Sequence, residues 1–174
     1  MTLPDMLARW HEFYSLVGTA SATLVGLLFV AASVGTGVFS ADKRALLRVF
    51  LSSSVVNFSS VLGACVVVLA PVDNWLVFGG LVAACGLSGL MHAFLALRDT
   101  VTDGLIAKID LEDRIWYLVL PIVGYSLVAG SGAALALRLD LGCPALAVSM
   151  GLLLAVGIHN AWDITVWSIT RRRD

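Results

Sequence analysis

The sequence predicts an all-α, polytopic membrane protein: a bundle of five transmembrane helices in a single domain, residues 1–174, with the N-terminus outside and the C-terminus cytoplasmic. Three observations predict it. Apolar residues make up 59% of the chain and charged residues only 13%, with a mean hydropathy of +0.94, whereas an average soluble domain is about 45–50% apolar and about 25% charged. Several apolar runs exceed the roughly 18 residues that mark a bilayer span. None of them alternates in the lipid-facing and lumen-facing pattern of a membrane β-barrel, so the backbone must satisfy itself as helix.

The spans follow in order. Residues 13–39 form an uncharged apolar run between Glu12 and the charged stretch Asp42-Lys43-Arg44. It is longer than the roughly 7–15 residues of a signal-peptide core, so it is expected to stay in the mature protein. The second span, 49–70, ends at Pro71-Val72-Asp73-Asn74, whose turn composition sends the chain straight back through the third, 75–97. Residues 98–114 are the one sizeable loop, where Leu105, Ile106, Ile109 and Leu111 are spaced for a short amphipathic helix along the interface. The fourth span is 115–137, bent at Pro121, which lacks the N–H that a helix ladder needs. Residues 138–144 turn the chain into the fifth, 146–170. Trp10, Tyr14, Trp75, Trp116, Tyr117 and Trp167 fall near the expected interfaces.

Charge sets the orientation. One side carries Arg9 and Arg138; the other carries Lys43, Arg44, Arg48, Arg98, Lys108, Arg114 and Arg171 to Arg173. Nine against two places the second side in the cytoplasm, in what is expected to be a bacterial inner membrane. Net charge is −1, so there is no basic field to hold nucleic acid. The partner is the lipid bilayer, together with further copies of the chain. Small residues at four-residue spacing are the expected helix contacts: Gly18, Ala22 and Gly26; Gly80, Ala84 and Ser88; Ser126, Gly130 and Ala134.

Polar groups at membrane depth are costly and therefore informative. The fifth span carries His159, Asn160 and Asp163 on one face, the third His92, and the second Asn57. Counting the 1.5 Å rise from each helix's cytoplasmic end puts His92 about 8 Å deep, Asn57 and Asp163 about 11–12 Å, and His159 about 17 Å. These five are expected to meet in one intramembrane cluster. Ser53, Asn57 and Ser60 form a hydrophilic stripe at i, i+4 and i+7, with Lys43, Arg44 and Arg48 as a basic ring at its foot. The reading that follows is a homo-oligomeric conduit for an ion or a small polar solute, its path lined by stripes from several protomers. One alternative is a scaffold in which the same network fixes helix register. A further alternative is a redox protein holding haem b or a transition metal on His92 and His159, with Asp163 as a possible third ligand. The leading reading involves no cofactor.

Other chemistry has little purchase. No serine stands in a G-x-S-x-G elbow, no H-E-x-x-H or paired-cysteine metal motif occurs, and no nucleotide fingerprint is present, which points away from catalysis. Cys65 and Cys143 sit near the outer face, where a disulfide could staple the bundle. Phe13-Tyr14 through Gly26-Leu27-Leu28-Phe29-Val30, and His159-Asn160-Ala161-Trp162-Asp163, resemble segments of small bacterial membrane proteins. Five helices and several tryptophans are also shared with the tryptophan-rich sensory (translocator) proteins. Residues 40–48, Ser-Ala-Asp-Lys-Arg-Ala-Leu-Leu-Arg, are not the proline- and tryptophan-dense first loop of that family, so its ligands are not carried over.

Overall fold

The computed structural model describes residues 2–35, 41–102 and 110–170, with the backbone alone for 34–35, 41–52, 164 and 167–170. The described residues form five long helices: α1 Leu3–Gly35, α2 Ala41–Leu69, α3 Trp75–Thr102, α4 Leu111–Ala136 and α5 Gly142–Thr170. No strand occurs among them. Four, α1, α3, α4 and α5, are long and apolar enough to cross a membrane; in α2 the described apolar part is Ser53–Leu69. The expected Lys43, Arg44 and Arg48 ring, Trp167, and the loop positions Leu105, Ile106 and Ile109 have side chains outside the described set.

Helix ends follow local chemistry rather than apolar length. α1 begins ten residues before the expected span, because Thr2 caps it. The Asp5 backbone N–H donates to Thr2 Oγ1 at 3.4 Å, while the Thr2 backbone N–H donates to the Asp5 carboxylate at 3.2 Å. Asn74 caps α3, its Oδ1 accepting from the N–H groups of Leu76 (2.9 Å) and Val77 (3.2 Å). α4 ends in a left-handed residue, Arg138 (φ 59°), where Leu139 N–H donates to Ala134 O and Arg138 N–H to Leu135 O. Pro121 acts differently from the simple bend expected. The turn before it, Ile115–Val119, is a π turn in which Leu120 N–H reaches back five residues to Ile115 O. A π turn absorbs one extra residue and so changes the rotational phase of everything before it.

The bundle is a ring of α2, α5, α4 and α3, with α1 against the outside of α2. α3 and α4 share the most extensive interface and run antiparallel, Gly79 meeting Ala136 and Gly86 meeting Ala129. A Cβ on Gly86 would lie 2.3 Å from Ala129 N, and one on Gly132 2.3 Å from Ala83 N, so only glycine lets these backbones touch. The small-residue stripes expected in α3 and α4 are one position away from this seam. Gly80, Ala84, Ser88, Ser126 and Gly130 face outward, and Gly80 and Gly130 have open space beside them. In α1 only Gly18 makes its contact, on Cys65, while Ala22 and Gly26 are exposed.

The surface is apolar as well as the core. The exposed surface is Leu16, Phe29, Leu76, Met91, Phe94 and Val148 among other large apolar residues, while Ser54, Asn57 and Asn160 are interior. A surface facing hydrocarbon has this composition. We call the end where α4 begins the α4 end, and the opposite one, with turns 70–74 and 137–141, the hairpin end.

Candidate functional site

Two polar sites lie inside or at the edge of the ring. The inner one is built on α2 and α4. The Tyr125 hydroxyl crosses from α4 to donate to Asn57 Oδ1 at 2.9 Å and lies 3.3 Å from Ser60 Oγ. The ring has one position available, because it lies flat on Gly89 of α3, where a Cβ would come within 2.1 Å of it. Asn57 is 2% exposed and Asn160, on α5, 0%. Asn160 follows Gly157 by one turn, and Gly157 is where α5 meets the Phe58 ring of α2; a Cβ there would be 2.5 Å from that ring. Asn160 therefore points toward the interior from α5, on the α4-end side of Phe58. Among the described residues, Asn57 Nδ2, Ser54 Oγ, Ser21 Oγ and both amide atoms of Asn160 have no hydrogen-bond partner. Each such group costs about 1–3 kcal/mol of desolvation. Elsewhere hydroxyls satisfy themselves along their own helix, as Thr19 does on Ser15 O (2.8 Å) and Thr23 on Thr19 O (2.9 Å).

The second site is at the rim of the α4 end. Tyr117, turned toward α5 by the π turn, places its hydroxyl 3.2 Å from Asp163 Oδ2 and 3.4 Å from the backbone O of Asn160. Its neighbour Trp116 stacks on His159, ring centroids 3.8 Å apart at 17°. Burial pushes the Asp113 carboxyl above its ordinary value, and the Asp163 carboxylate adds to the rise. Asp163 itself is exposed.

The single layer expected from helical depth thus divides. Asn57 and Asn160 are interior, Asp163 and His159 belong to the rim, and His92 is on the exposed face of α3. The physical reason is phase: Ala93 is buried and His92, 100° earlier around the helix, is not. Of the serine stripe, Ser60 joins Tyr125, and Ser53 is half-buried with no contact to the cluster recorded. Asn57, the middle residue of the stripe, is enclosed within one protomer, while Ser53 and Ser60 are half-buried. For the metal alternative, His92 is exposed on α3 while His159 stacks on Trp116, and no group of three or more His, Cys, Asp or Glu side chains converges among the described residues. Cys65 and Cys143 are buried free thiols rather than a disulfide, and Cys143 contributes its carbonyl to the Tyr14 hydroxyl at 3.0 Å.

The chain matches no family model, no curated protein and no solved structure. Its own geometry has to carry the reading. Sequence reasoning missed Tyr125, Ser54 and the Trp116–His159 stack. A signal for the first existed: a tyrosine prefers the interface, and Tyr125 is ten residues inside its expected span. The chemistry available in the inner site is hydrogen-bond exchange by amides and hydroxyls, with carboxylates only at the rim.

Proposed function

We propose that the protein is a five-span integral membrane protein of the bacterial inner membrane, N-terminus outside, that conducts an ion or small polar solute through the centre of its own bundle. α2 supplies the fifth span, and the lysine and arginine asymmetry sets the direction. The observation that carries the reading is the set of unpartnered interior groups: Ser54 Oγ, Asn57 Nδ2 and both amide atoms of Asn160. A bundle with only a packing role loses stability to these groups and would gain by exchanging them for apolar ones of similar shape. A solute pathway needs them. The rim of Tyr117, Asp113, Asp163 and His159 is the cytoplasmic entrance in this reading, and the described form, with its amides enclosed, is the closed one. Assembly into homo-oligomers would give one path per protomer.

Flux across proteoliposomes tests this. The wild type is expected to conduct above empty vesicles and Asn160→Leu to lose that flux while remaining folded by circular dichroism. No wild-type flux across ions, neutral solutes and pH would leave a membrane scaffold. Equal flux in the variant would move the path elsewhere.

A further inference from the structure

We infer that the species passing the inner site is a small uncharged molecule carrying both a hydrogen-bond donor and an acceptor, and that the Phe58 ring closes its path. This deepens the conduit reading and rests on it. The buried polar side chains described are Ser21, Ser54, Asn57, Ser131, Ser149 and Asn160, with the hydroxyls of Tyr14 and Tyr125, and none is a carboxylate, a histidine or a basic group. The described carboxylates nearest to this layer, Asp113 and Asp163, are at the rim. An ion entering would leave its hydration shell without meeting a counter-charge, and a low-dielectric interior does not repay that loss. Channels that pass ions replace the shell with rows of backbone carbonyls or rings of charge. Neither exists at this depth: α2 and α5 are continuous helices through Asn57 and Asn160, so their carbonyls are engaged in the helical ladder.

A neutral solute meets the opposite situation. Asn160 offers it Nδ2 as donor and Oδ1 as acceptor, Asn57 offers Nδ2 while its Oδ1 is held by Tyr125, and Ser54 offers a hydroxyl able to do either. A solute with a donor and an acceptor can satisfy groups that are otherwise unsatisfied, and its dehydration is repaid bond for bond. Anions would meet a few neutral donors, the two Nδ2 groups and the Ser54 hydroxyl, with no positive charge, and divalent cations too few oxygens, since such cations take six or more. On the hairpin side of this layer sits Phe58, fully enclosed, its ring against Gly157 with no room for even a methyl group. The ring is beside Asn57 in sequence and packs on Gly157, one turn from Asn160, which is the position from which it would block a solute bound to the amides.

Stopped-flow light scattering on proteoliposomes, with urea and glycerol as probes, and dye-based flux of K+, Na+, Cl− and H+ on the same preparation, test the inference. The wild type is expected to pass urea and not the ions. Phe58→Ala is expected to raise urea permeability about tenfold, the change that ~1.4 kcal/mol off a barrier produces, and Phe58→Leu to raise it less; the leucine variant serves alone should the alanine variant not fold. Addition of Asn160→Leu to either is expected to remove the gain. Ion flux without urea flux overturns the solute class while leaving a conduit. Urea flux unchanged in both Phe58 variants overturns the plug. Absence of any flux from the wild type removes the conduit itself.

Discussion

The α3–α4 seam and the α2–α5 side of the ring solve the same problem, adhesion of helices in a solvent as apolar as their side chains, in opposite ways. At the seam, Gly79, Gly86 and Gly132 remove side chains altogether and bring backbone onto backbone. Nothing there can rotate, and nothing polar is exposed to unmet need. Across the ring, Phe58, Asn57 and Asn160 are large or polar, and several of their hydrogen-bonding atoms are unmatched. Dispersion over a close fit stabilises the first. The second is held less economically.

The largest effect should come from breaking the seam. Gly86→Leu forces a side chain into the Ala129 backbone and is expected to cost about 3 kcal/mol or more, as severe overpacking does. Gly80→Leu, one residue away and facing open space, is expected to stay within about 0.5 kcal/mol. Thermal unfolding in detergent compares them; similar losses from both would mean the backbones do not meet at Gly86. Next comes Tyr125→Phe, which strands Asn57 Oδ1 and should cost about 1–3 kcal/mol. No loss would show that the 2.9 Å bond contributes nothing. Smallest, and of opposite sign, is Asn160→Leu, expected to raise stability by about 1 kcal/mol by removing two unmatched groups. If it destabilises instead, Asn160 has a partner in the membrane and the contrast between the two regions weakens.

The five helices were legible in the sequence because apolar length is a one-dimensional property, readable without knowing which way a side chain points. Their ends were less so: Thr2 and Asp5 extend α1, and α3 continues past Arg98 to Thr102, because a helix does not stop where its apolar run does. Phase was the quantity not available. Glycines at four-residue intervals reveal that a close approach exists, but Gly79 and Gly80 differ by 100°, and neighbouring glycines give no means of choosing between them. The same angle separates His92 from Ala93 and removes it from the expected cluster. Asn57 and Asn160 stood out as interior amides from composition alone; Tyr125, their link to α4, became evident only once Gly89 was placed opposite its ring.

Phase also gives the π turn at Ile115–Val119 its weight. A single surplus residue in that stretch works as a fixed angular offset, like a tooth skipped between two gears. Deleting one residue there would let the helix relax to ordinary winding, swinging Trp116 and Tyr117 through about 100° relative to Tyr125 and moving the rim site out of line with the interior one. The two polar sites are therefore aligned by a miscount in the helix rather than by any bond between them.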